Sequence, residues 1–156
     1  MNEKQSSNGY FFNDIVENWN NSKLESKHDY IQYLFPLEEK SRYNPNATIL
    51  TKKDVEIFKS NKKIRKNVIR ALQRMLCFYG IDNFVFDGTR KYWMKKGDHN
   101  HLRLTRIMKF LQLIDMNILS IKLFITLCKI NKKFKDAFTH ETFTIWKNLF
   151  IKFIKK

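Results

Sequence analysis

Apolar residues recur every three or four positions along most of the chain, separated by short polar stretches, and this rhythm predicts helices nearly throughout. Residues 10–20 place Phe11, Ile15 and Trp19 four apart, with Phe12 and Val16 alongside, which predicts a short amphipathic helix. The connector Asn20-Asn21-Ser22 leads into residues 28–37, the densest aromatic run of the N-terminal half. Pro36 must end the element formed there, because proline cannot extend a helix and pushes Phe35 out of helical geometry. Ser26 or Asp29 is the expected N-cap of that element, and its rings are the expected packing centre of the fold.

Residues 38–49 are polar, and Asn44-Pro45-Asn46 marks them as a surface loop. Thr51-Lys52-Lys53-Asp54 resembles a capping box and opens a two-turn helix carrying Val55, Ile57 and Phe58. Residues 61–79 hold the clearest stripe: Ile64, Val68, Ala71, Leu72, Met75, Leu76 and Tyr79, with Gly80 where a C-terminal cap belongs. Asp87-Gly88 between the β-prone arms 84–86 and 89–93 predicts a small hairpin near 83–93. Asp98 or Asn100 is expected to cap a helix whose inner face is Leu104, Ile107, Met108, Leu111 and Ile114. Asn117 is expected to cap a further helix through Ile130, apolar nearly all round. After the basic stretch 132–138, Thr139 or Thr142 opens the last helix, with Phe143, Trp146, Phe150, Phe153 and Ile154 on one side and Lys147, Lys152, Lys155 and Lys156 elsewhere. The expected fold is all-α, one compact domain of about six to eight helices over residues 9–156, preceded by a disordered tail over 1–8.

Composition sharpens part of this picture. Only 4 Gly and 2 Pro in 156 residues leave few helix breakers, and 43% hydrophobic content excludes general disorder. A net charge of +15 points to an anionic partner. On the nucleic-acid reading, Lys62, Lys63, Lys66, Arg70, Arg74, Lys95 and Lys96 would meet phosphates. The competing reading is compositional: 23 of the basic residues are Lys and 7 are Arg, whereas bidentate phosphate or guanine contacts favour Arg.

Cys77 and Cys128 each lie in a helical pattern, which predicts two buried free thiols and a reducing compartment. No apolar run reaches the roughly 20 residues that span a bilayer, so contact with a membrane would be peripheral, through the basic last helix. An intracellular location is expected.

Candidate chemistry is sparse. His99 and His101 are two apart, so on a helix they point to different faces, and no metal site is expected. There is no P-loop, no nucleophile elbow and no glycine-rich phosphate cradle, while Glu38-Glu39 sits in a polar loop without apolar neighbours to raise a pKa. The chain therefore reads as a non-enzyme without a cofactor. Tyr30, Tyr33, Phe35, Tyr92 and Trp93 could line a groove for an aromatic-bearing peptide, with His101 beside them and Arg103 and Arg106 as carboxylate partners. On the competing reading, the same rings simply fill the core.

Three blocks, in order, resemble one known family. His28-Asp29-Tyr30-Ile31-Gln32-Tyr33-Leu34-Phe35-Pro36-Leu37 resembles the HDYIQWLFPL block of the opioid growth factor receptor conserved domain. Residues 70–81, ending Phe78-Tyr79-Gly80-Ile81, are similar to its RAYELMLDFYGI block, and residues 99–109 to its SHNNLRITRILK block. The resemblance covers nearly the whole chain. It implies a receptor for the pentapeptide Met-enkephalin that restrains proliferation, located at the nuclear envelope, in the nucleus or in the cytoplasm, and unrelated to seven-helix receptors.

Overall fold

Pro36 does what its chemistry demands, and the fold is arranged around the turn it ends. The computed structural model describes Ser6 and residues 8–154, with side chains through Ile151. Among these residues there are eight helices and no sheet. A π-helix, Asp14–Asn18, is followed by α1 (Asn21–Ser26), α2 (Ile31–Leu34), α3 (Lys52–Ser60), α4 (Lys62–Phe78), α5 (Asn100–Leu113), α6 (Asn117–Lys133) and α7 (His140–Ile154).

The single turn α2 carries Tyr30, Leu34 and Phe35 to full burial. Phe35 meets Phe110 of α5 edge-on at 5.8 Å, and Phe58 of α3 meets the same ring at 5.3 Å. Complete burial of each such ring stabilises the fold by about 1.5–3 kcal/mol, more than a four-residue helix could supply from its own hydrogen bonds. α4 lays Val68, Ala71, Leu72, Met75 and Leu76 against this centre. Asp115, in the left-handed conformation at φ 58, turns the chain sharply between α5 and α6 and makes them packed neighbours. α7 closes the far side: Trp146 is fully buried and donates its indole N–H to Thr105 Oγ1 at 2.8 Å, and Phe150 stacks on Phe124 at 4.5 Å.

Several local expectations hold in detail. Thr51 and Asp54 form a reciprocal capping box at the start of α3, and Gly80 adopts φ 67 just beyond α4. Thr139 Oγ1 accepts from the Thr142 amide ahead of α7. Phe143, Trp146 and Phe150 turn into the domain. Lys152, Phe153 and Ile154 side chains, with Lys155 and Lys156, lie outside the described residues, as does most of the 1–8 tail.

Others are corrected. The hairpin near 83–93 does not form; a single bridge pairs Asp82 with Val85 inside a tight turn, where Asn83 and Phe84 have positive φ. Asp87 closes the next turn with its own side chain, accepting from the Thr89 amide at 2.8 Å and pairing with Lys91 at 2.6 Å, which together hold its carboxyl well below the usual range. The two arms are drawn apart: Phe86 packs on Phe134, whereas Trp93 is fully buried and donates to Tyr79 O at 3.0 Å. Burying aromatic rings on separate helices outweighs a two-stranded pairing that is marginal alone.

Cys77 is exposed and Cys128 half-buried, both free; Cys77 follows Gln73 by one turn on the outer side of α4. The caps of α2 and α6 also differ: Tyr30 and Met116 hold those positions without a side-chain cap, and Asn117 is already inside α6. His99 occupies the cap of α5, while Asp98 Oδ1 takes the Asn100 amide at 2.9 Å.

Candidate functional site

The first block, residues 28–37, is short and would not hold its shape alone; two arginines of α5 fix it. Arg103 is 4% exposed and donates to the carbonyls of Leu24 at 3.0 Å, Glu25 at 3.3 Å and Lys27 at 2.7 Å, and to Asn100 Oδ1 at 3.1 Å. Its guanidinium also lies over the Tyr30 ring at 5.4 Å and donates to His28 Nδ1 at 3.3 Å; arginine has no acceptor, so His28 must accept. One turn on, Arg106 donates to Phe35 O at 3.1 Å, binding the other end of the block. The spacing of three puts both arginines on one face of α5.

Tyr30, Leu34 and Phe35 are held inward, whereas Asp29, just before α2, and Tyr33 within it are only half-buried. With Ser6, Asn44, Ala47 and Thr48 these two line a small cleft of about 10 Å³, room for a group the size of one water molecule. Its far wall is the 38–49 loop, drawn shut by the Leu50 amide donating to Leu37 O at 2.9 Å and tightened by Ala47 N–H to Asn44 O at 3.0 Å. Asn44 also reaches across to Asp29 O at 3.5 Å. The Asn8 amide donates to Asp29 Oδ2, while the buried Oδ1 has no hydrogen-bond partner among the described residues. A buried carboxylate oxygen left unmatched costs free energy, and a cationic donor entering the cleft would recover it. Burial pushes the Tyr33 phenol up, with a backbone bond from Phe12 acting the other way, so at neutral pH it stays an uncharged partner.

The remaining groove candidates separate. Tyr30, Phe35, Trp93 and His101 are interior, and burial pushes the Tyr30 phenol up to about 12. His101 Nε2 lies 3.0 Å from Trp93 O, and since a carbonyl only accepts, Nε2 carries the proton. Its Nδ1 is buried without a partner among Trp93, Phe138 and Trp146, and desolvation lowers its pKa. Tyr92 is half-exposed and donates to Glu25 Oε2 at 3.1 Å; Asn100 Nδ2 donates to the same oxygen at 3.2 Å, and His99 Nε2 lies 3.2 Å from Glu25 Oε1. Sequence patterning missed Asp29 as a cleft residue and Glu25 and His99 as the polar seam between blocks. The one available signal was that Asp29 and His28 lie inside the first block.

The basic residues fall into two groups. Arg70 pairs with Glu17 and with Asn13 at 3.1 Å, and Arg74 donates to Trp19 O at 2.8 Å and Asn21 Oδ1 at 2.9 Å, so both tie α4 to the N-terminal helices. Lys62, Lys63 and Lys66 are exposed at the start of α4. Lys95 and Lys96 are exposed beyond its other end, where Trp93 meets Tyr79, and at the usual rise about 18 Å of α4 lies between Lys66 and that end. No group of three or more potential metal ligands occurs among the described residues. None of their helices is long and apolar enough to cross a membrane.

Residues 1–146 match the family model described as "Opioid growth factor receptor (OGFr) conserved region". The opioid growth factor receptor of Mus musculus is 42% identical over 119 residues, covering 67% of this chain and 18% of the relative. That of Homo sapiens is 40% identical over 119 residues, with 67% and 17% covered. Opioid growth factor receptor-like protein 1 of Xenopus tropicalis is 37% identical over 114 residues, with 66% and 22% covered. The matched region spans only about a fifth of the length of these relatives. No solved structure matches the chain.

Proposed function

The chain belongs to the opioid growth factor receptor family, and from that premise we propose that it is a non-catalytic receptor domain for a short opioid-type peptide, Met-enkephalin, taken by its N-terminal ammonium. The observation that carries this reading is Asp29 Oδ1, buried in the cleft beside Tyr33 and without a hydrogen-bond partner among the described residues. An ammonium donating to that oxygen makes a charge-assisted hydrogen bond, worth about 1.5–3 kcal/mol where water is excluded. The cleft has room for little beyond the ammonium, so an aromatic side chain on the ligand would lie over its rim, along the Asn44–Thr48 wall. Growth regulation, the family's role, would follow from occupancy of this cleft.

Calorimetric titration tests it. Met-enkephalin is expected to give saturable heat, and Asp29→Asn to weaken binding about tenfold or more at an unchanged melting temperature. N-acetylated peptide is expected not to bind. An absence of saturable heat at high micromolar peptide, or equal binding of the acetylated form, would overturn the proposal.

A further inference from the structure

The outer face of α6 carries a feature that neither the core nor the cleft uses. Ile118, Ile121 and Ile125 are 70%, 38% and 47% exposed, although the opposite face of the same helix buries Leu123, Leu127 and Ile130 completely. With half-buried Cys128 they follow the spacing three, four, three, and at 100° per residue they fall within an arc of about 80°. That is the narrow seam through which one helix meets another, narrower than the broad apolar face of a helix packed on a core.

The borders of the seam are basic on both sides. Exposed Lys122 and Lys129 flank it toward the Phe84 loop, where Lys122 lies 6.0 Å from the Phe84 ring. On the other side α7 contributes exposed Lys147, seated 5.1 Å over Phe143, whose ring lies 6.1 Å from Phe124 of α6. From residue 116 to residue 135 the sequence has no Asp or Glu at all.

We propose that this face docks an amphipathic helix of a partner protein, apolar along its own seam and acidic along both flanks. A second copy of this chain does not fit, because two such faces would set lysines against lysines. A lipid surface fits less well: interfacial helices present a wide apolar face with Trp, Phe or Leu, whereas the apolar residues α6 exposes form a single isoleucine row, its leucines being buried or half-buried. The isoleucines supply the contact area and the lysines choose the partner by charge.

The test uses the intact protein and a labelled helical peptide of about three heptads, with Leu at the seam positions and Glu on both flanks, against a twin with Lys on the flanks. The Glu peptide is expected to bind saturably and at least tenfold more tightly than its twin. Ile118→Ser with Ile125→Ser should weaken it about tenfold or more, and Lys122→Glu with Lys129→Glu, which leaves Lys147 in place, should abolish the preference. These side chains are exposed, and unchanged circular dichroism and melting would show that the variants fold. Equal binding of both peptides, or insensitivity to the isoleucine substitutions, would overturn the proposal. So would isoleucine-dependent pelleting with phosphatidylserine vesicles, or an isoleucine-dependent dimer in sedimentation equilibrium.

Discussion

Arg103 shows how much one side chain decides in this protein. It is buried, yet both terminal nitrogens of its guanidinium find partners, and three of these are backbone carbonyls just before the first block. Lysine brings a compact ammonium with three donors in place of a planar fork. Arg103→Lys should therefore leave at least one buried carbonyl unmatched and lower the unfolding free energy by about 2–3 kcal/mol, measured by urea denaturation. His101 gives a second prediction at this scale. Desolvation depresses its folded-state pKa below the ordinary value of 6.5, and His28 is depressed in the same direction by burial and then by Arg103. The unfolded chain thus takes up protons first, so stability is complete above pH 6.5 and falls as pH drops below it. Urea midpoints between pH 8 and pH 5 should decline below about 6.5. In His101→Gln, whose amide can still donate to Trp93 O, the decline should flatten; an unaltered decline would show that His101 is not the group responsible.

The elements of this chain differ in where their stability comes from. α3 is announced by its capping box, and Thr51→Ala should cost about 1 kcal/mol by removing the acceptor for the Asp54 amide. Chemical denaturation of that variant checks it, with Thr51→Ser expected to restore most of the loss. α2 is the opposite case: its four residues lack a side-chain cap and persist because Tyr30, Leu34 and Phe35 are buried and two arginines hold the flanking carbonyls. The 82–93 segment shows why local signals fail. Asp87-Gly88 is a strong turn signal and a turn does form, yet its arms do not pair, because Phe86 and Trp93 find deeper burial on different helices. Nothing within the segment reveals that those surfaces exist.

At the scale of the whole molecule, charge is the dominant unbalanced quantity. A net charge of +15 repels itself in the folded state, and most of the ion pairs that oppose it are exposed and contribute little each. Raising sodium chloride from about 20 to about 200 mM shortens the Debye length from roughly 20 Å to roughly 7 Å and screens the repulsion more than it weakens the short-range pairs. The melting temperature should rise by about 2–4 °C, as a gain of about 1 kcal/mol implies for a chain of this size. A fall would show that the paired contacts outweigh the net field.

The all-α class, the order of the long helices and the identity of their inner faces were set by the sequence itself, since a 3.6-residue apolar period with few breakers leaves the backbone one good way to bury its rings. The three family blocks were legible for the same reason: each is a contiguous string. What the sequence could not contain is any relation between distant residues. That Arg103 would satisfy carbonyls more than seventy residues away, that Asp29 would bury an oxygen unmatched by any described residue, and that three isoleucines of α6 would remain outside were decided only when the helices packed. Burial and hydrogen-bond satisfaction belong to the assembled surfaces, and periodicity records only which side of each helix faces inward.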